Sequence, residues 1–171
     1  MSFKPVVLIY DLDNALVDEI ATEIGGTGLY TSINTYNEAN AMDVIRQYNR
    51  GFGLLTNKLS CVITGWNTHK KPSDQFLYRL RQQEKVSPFR SATPVIIITE
   101  DHRIDLKQRA LKPSEGAVSA YLHCDTFKEF LTAMLHRIVF EERAQELNQQ
   151  SLVEFQSELG SLEQDVADQR P

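Results

Sequence analysis

Three short stretches, Pro5–Tyr10 (PVVLIY), Cys61–Thr64 (CVIT) and Pro94–Thr99 (PVIIIT), are apolar without alternation. A strand with one wet face alternates apolar and polar residues. An unbroken apolar run therefore implies a strand buried on both faces, as in a mainly parallel sheet covered by helices. Two further strands are expected, at Gly28–Ile33 (GLYTSI) and Val118–His123, and the third strand begins near Leu59.

Helical spacing fills the gaps. Asn14 is a candidate cap for a helix reaching Ile24, with Leu16, Ile20 and Ile24 on one face and Gly25–Gly26 ending it. Ala41, Val44, Ile45 and Tyr48 place a second helix over Asn37–Tyr48, closed by Gly51 and Gly53. Residues 73–83 follow Ser73 as a cap, with Phe76, Leu77 and Leu80 inward, before a loop holding Pro88. Residues 102–111 are weakly helical and run into Lys112, Pro113 and Gly116, and a long helix is expected over Thr126–Leu147. Five β-α repeats with right-handed crossovers give a three-layer, doubly wound α/β sandwich around a five-stranded parallel sheet.

The 171 residues suit one domain over 1–140 with a helical extension or linker over 141–171. Residues 141–171 hold eight acids against Arg143 and Arg170, so the extension is acidic while the body is nearly neutral within a total charge of −5. No basic stripe of the kind duplex nucleic acid demands is present, and no nucleic-acid partner is expected. No apolar stretch approaches a membrane span, and MSFKPVVLIYD lacks the build of a signal peptide, so a cytoplasmic location without membrane contact is expected. Cys61 and Cys124 sit on or beside strands and read as reduced thiols. His69, His102, His123 and His136 show no ligand spacing, and neither a metal nor a cofactor is expected.

Beyond the last long helix, Leu152, Phe155, Leu159, Leu162 and Val166 recur in a heptad-like stripe interrupted by Gly160. Its apolar edge packs either on the body or on a second copy of the chain.

Reactive groups in such a sheet gather beyond the carboxyl ends of the strands. Those ends carry Asp11 and Asp13, then Gly65, Trp66 and Asn67, then Thr99, Glu100 and Asp101, then His123, Cys124 and Asp125. The strings VITGWNTH, TPVIIITED and AYLHCDTF resemble the third, fourth and fifth strands of the receiver domains of bacterial response regulators, with fitting spacing from about residue 5 to 140. The resemblance implies a CheY-like, flavodoxin-like sheet in the order 2-1-3-4-5. It also implies a site at five positions. Asp11 matches one of the Mg²⁺-binding acids and Thr99 the phosphoryl-binding hydroxyl. Leu12 stands in place of the second acid, Gly65 in place of the phosphate-accepting aspartate, and Cys124 with Asp125 in place of Lys-Pro.

Glycine offers no nucleophile, one carboxylate holds Mg²⁺ poorly, and a neutral thiol cannot replace a fixed positive charge. Asp13 and Asp101 are the substitute acceptors within reach. The retained residues also have plain structural uses: Thr99 can satisfy backbone groups and Asp11 can accept turn amides. Trp66 and Tyr121 read as packing anchors or as flanks of a partner surface. The expectation is a degenerate receiver, non-enzymatic, acting through a protein partner, an output domain or a homodimer formed by its C-terminal helices. Its contact face is expected at Arg103, Lys107, Tyr121 and Phe127.

Two other resemblances compete. YDLDNALVD is similar to the first motif of haloacid-dehalogenase-type phosphatases, which implies Asp11 as nucleophile and Asp13 as acid-base, with Thr64, Lys70 or Lys71, Asp101 and Asp105 completing the set. Asn14-Ala15 and the short spacing from Thr64 to Lys70 depart from that pattern. YLHCDTFKEFL resembles the end of the receiver-like wing domain of bacterial ornithine, lysine and arginine decarboxylases, which implies a non-catalytic assembly module.

Overall fold

In the computed structural model, residues 3–50, 58–65, 74–86, 91–101 and 103–169 are described. Their elements are β1 (Val6–Tyr10), α1 (Asn14–Gly25), β2 (Thr31–Thr35), α2 (Glu38–Arg50), β3 (Leu59–Thr64), α3 (Asp74–Lys85), β4 (Val95–Thr99), α4 (Ile104–Leu111), β5 (Ala120–His123), α5 (Phe127–Val139) and α6 (Ala144–Asp168). Gly51, Gly53, Trp66, Asn67, His69, Lys70, Lys71, Ser73, Pro88 and His102 lie outside the described residues.

The sheet is parallel in the order β2-β1-β3-β4-β5. Alternate residues of each central strand feed two cores. Val7, Ile9, Cys61, Ile63, Ile96 and Ile98 meet α1 and α5 through Val17, Ile20, Ile24, Phe127, Leu131 and Leu135. Leu8, Tyr10, Val62, Val95 and Ile97 point the other way, to Met42 and Ile45 of α2, Phe76 and Leu80 of α3, and Leu106 and Leu111 of α4. The unbroken apolar runs are the sequence record of that double burial. No helix among the described residues is long and apolar enough to cross a membrane.

The structure shifts several expected boundaries. Asp13, rather than Asn14, caps α1, because its carboxylate accepts from the amides of Ala15 at 3.0 Å and Leu16 at 3.3 Å. The second strand starts later, since Gly28 takes a φ of +67° in the turn leaving α1. It then runs on to Thr35, whose hydroxyl donates to the Ile9 carbonyl at 2.9 Å.

The helix expected over Thr126–Leu147 is two helices. The chain reverses between Phe140 and Arg143, where Glu142 adopts a φ of +55° and the Arg143 amide donates to the Arg137 carbonyl at 3.1 Å. After the reversal α6 runs through Gly160 without interruption and lies across α4 and β5. Phe155 is buried there, with Leu152 and Leu159 packed at the edge, while Leu147 is buried in the first core. The first half of the apolar stripe therefore closes the body's own core.

Polar bonds fix the register of α6. Asn148 donates through Nδ2 to the carbonyls of Leu111 at 2.7 Å and Val118 at 2.6 Å, both beyond the reach of α4 and β5 pairing. Ser151 donates to the Ser119 carbonyl, and the Ser119 hydroxyl donates to the Ala144 carbonyl, each at 3.0 Å. Buried carbonyls left without donors are costly, so these contacts specify one seating of the helix.

Candidate functional site

The carboxyl ends of β1, β4 and β5 open onto a cleft of about 270 Å³ lined by Asp11, Asp13, Glu19, Thr99, Glu100, Cys124 and Asp125, together with Ala15, Leu16 and Ile98. Its described lining contains no lysine or arginine. Parallel topology explains the gathering: every strand delivers its last residue to the same edge, and strand-to-helix turns place polar side chains there.

Asp11 follows β1 and is only 6% exposed. Its Oδ1 accepts the Asp13 amide at 2.7 Å. Burial holds the carboxyl above its ordinary range; the amides of Asp13 and Leu12 oppose that rise, while the charges of Asp13 and Glu100 add to it. Leu12 turns to the second core and packs at its edge. It supplies no oxygen to the cleft.

Gly65 sits at the end of β3, its amide donating to the Tyr10 carbonyl at 3.2 Å. A Cβ built there would lie 1.4 Å from Asp11 Oδ2 and 2.6 Å from Asp11 Cγ. The Asp11 carboxylate thus occupies the space that any side chain at position 65 needs. The sequence places a glycine at the end of the third strand; the structure adds that the space beside it is filled by the neighbouring acid.

Thr99 accepts the Asp101 amide on its hydroxyl at 3.0 Å, and the Cys124 amide donates to the Thr99 carbonyl at 3.0 Å. Cys124 is partly buried, with Sγ 3.8 Å from Asp125 Oδ1. Burial, followed by the Asp125 charge, pushes its thiol pKa up. A neutral thiol therefore stands at this corner. Asp13 is occupied as the α1 cap, and Thr64 is buried with its hydroxyl directed to the Gly65 carbonyl at 3.3 Å. Asp101 accepts the Arg103 amide at 2.9 Å.

One donor set escaped the sequence reading. His123, Cys124 and Asp125 bring ligand atoms within 4.8 Å of one another, because the turn after β5 folds three consecutive side chains together. His123 Nδ1 accepts the Asp125 amide at 3.2 Å, so that lone pair is engaged.

The four residues expected to face a partner do not form one surface. Phe127 is 1% exposed: as the first residue of α5 it points into the core, so the expectation of a surface role is corrected. Tyr121 packs at the edge of the second core beneath α6, its hydroxyl donating to the Asp101 carbonyl at 3.0 Å. Lys107 reaches Glu158 of α6 at 3.2 Å and lies over the rings of Phe155 and Tyr121, 5.3 and 5.8 Å from their centroids. Arg103 is exposed and contacts Asp101 at 3.4 Å. Tyr121 and Lys107 are covered because α6 returns over α4 and β5 and lies on part of the face they form.

No protein-family model matches the sequence, and no match was found among curated proteins. Solved structures do match in shape. The signal receiver domain of an HD domain-containing protein from Pseudomonas fluorescens Pf-5 aligns with a TM-score of 0.62 at 18% identity, over 82% of this chain and 97% of that one. A response regulator receiver domain protein from Clostridium thermocellum gives 0.59 at 18% identity, over 81% and 97%. The Vibrio cholerae chemotaxis protein CheY4 gives 0.60 at 15% identity, over 80% and 99%. With its sheet order 2-1-3-4-5 and helices on both faces, this chain has the CheY-like fold of response-regulator receiver domains, extended by α6.

Proposed function

We propose that this chain is a receiver-type signalling domain that takes no phosphoryl group at the usual position and works by protein contact in the cytoplasm. The observation that carries the reading is Gly65 with the Asp11 carboxylate folded into the space beside it. Phosphoryl transfer needs a nucleophile, a cation over the equatorial oxygens and an open in-line path. Gly65 supplies no nucleophile, and Asp11 stands in the path. The cleft's described lining is acidic and would repel a phosphoryl donor.

In a receiver the face of the fourth helix, fifth strand and fifth helix passes the signal on. In this chain α6 lies over part of that face, so a partner or output domain meets α6 and the exposed rim near Arg103. The state of the face is then set by what binds it, not by phosphate. The phosphatase reading is weaker because Asp13 is committed to helix capping. The wing-domain reading shares the non-catalytic conclusion and differs only in the partner.

The test is intact-protein mass after incubation with a small phosphodonor and Mg²⁺, alongside hydrolysis of an aryl phosphate. No mass gain and no hydrolysis are expected. A phosphoryl adduct on Asp13, Glu100 or Asp101, or turnover lost in Asp11→Asn, would sink the proposal.

A further inference from the structure

We propose that the outer end of α6 is a docking seam for a cationic helix of another protein, one carrying apolar residues at heptad spacing and lysines or arginines beside them. This names the partner chemistry and rests on reading the chain as a protein-contact domain.

The apolar stripe of α6 changes role along its length. Leu152, Phe155 and Leu159 close the core, but every residue from Gly160 to Gln169 is exposed, and Leu162 and Val166 are 53% and 58% exposed. These turns extend about 13 Å past the docked part of the helix. With Ile104, itself 47% exposed, Leu159, Leu162, Val166 and Ala167 line a groove of about 480 Å³ between α6 and the start of α4.

Charge decides the occupant. With Leu159 and Val166 at a positions and Leu162 at d, the flanking e and g positions hold Glu163, Glu158 and Asp165. In a parallel pair of two copies Glu158 would face Glu163, and in an antiparallel pair Glu163 would face Glu163 while Glu158 would face Asp165. From Ala144 to Gln169 the chain has no base, and Arg170 lies outside the described residues. Of the acids on α6, Glu146 and Glu158 pair with Arg143 and Lys107. Glu154, Glu163, Asp165 and Asp168 have no ion pair among the described residues. The seam therefore disfavours a second copy and suits basic e and g residues on a different chain.

The experiment uses the full chain and two synthetic three-heptad peptides with Leu at a and d, one with Lys and the other with Glu at e and g. Binding is read by fluorescence anisotropy and oligomeric state by light scattering. The Lys peptide is expected to bind, with affinity falling by about tenfold or more in high salt and in Leu162→Glu/Val166→Glu. Val153→Glu, on the other flank of α6, is expected to leave binding unchanged. These positions are exposed, so folding is not at risk, and the peptide and salt comparisons on the unaltered chain stand without any variant. Failure of the Lys peptide to bind, equal binding of the Glu peptide, or indifference to the double substitution would overturn the proposal. So would a wild-type dimer that the double substitution dissociates, which would assign the seam to a second copy. Phosphorylation in the mass assay would refute the preceding reading and leave this seam untouched.

Discussion

Placing an aspartate at position 65 is the sharpest test of how the cleft is built. Gly65 has an ordinary backbone φ, since Gly28 is the glycine whose φ is positive among the described residues, so space rather than strain excludes a side chain. A Cβ 1.4 Å from Asp11 Oδ2 cannot coexist with the present carboxylate position. In Gly65→Asp the Asp11 carboxylate must shift, and a shift large enough to carry Oδ1 with it gives up the 2.7 Å bond from the Asp13 amide. A hydrogen bond to a charged group contributes about 1.5–3 kcal/mol. A second carboxylate about 4 Å away adds repulsion of about 4 kcal/mol at an effective dielectric near 20, part of which the acids shed by holding a proton. The expected loss is about 3 kcal/mol, a large share of a typical domain's stability. Gly65→Ala keeps the steric demand without the charge and should lose about 2 kcal/mol. Urea unfolding at neutral pH measures both. Repeating Gly65→Asp with added Mg²⁺ asks whether a cation relieves the repulsion. If Gly65→Asp unfolds within about 0.5 kcal/mol of the parent, the Asp11 carboxylate is not held in that space, and the account of the cleft fails.

Asp11→Asn keeps an acceptor for the Asp13 amide while removing a buried charge near Asp13 and Glu100. Because the folded-state pKa of Asp11 is raised, the native chain holds more protons than the unfolded chain between the unfolded and folded values, and its stability falls as pH rises through that window. The substitution should remove that fall and leave the chain more stable above it, as urea midpoints across a pH series will show. Asn148→Ala strips donors from the Leu111 and Val118 carbonyls and should cost about 2–3 kcal/mol, read by urea unfolding. Phe155→Ala empties a site that is 4% exposed and should cost about 3 kcal/mol, with hydrogen exchange rising across α6 while the central strands stay protected. Gly160→Ala meets nothing within 4 Å and should raise helix stability by about 0.5–1 kcal/mol, seen as a higher thermal midpoint for α6 exchange.

The position of each central strand was readable because Val6–Tyr10 and Val95–Thr99 admit no wet face. The edge strand was harder. Thr31–Thr35 is mostly exposed or half-buried, and its polar sequence gives little sign of where pairing begins. The five site positions were named from the strings that end the strands, yet Phe127 was assigned to a surface, since helical spacing alone does not say which face meets the sheet. Asn148 and Ser119 were overlooked. A polar residue inside an amphipathic helix carries no mark of the two carbonyls it will serve.

By itself the sequence determined a doubly wound sandwich and the absence of a side chain at position 65, because strand burial follows from local composition and a missing group needs no geometry to be seen. Only the tertiary structure decided that the chain reverses at Glu142, that α6 returns over α4 and β5, and that Asp11 moves into the space at Gly65. An apolar stripe reads the same whichever surface covers it, and a carboxylate settles only where the surrounding amides and neighbouring charges leave room for it.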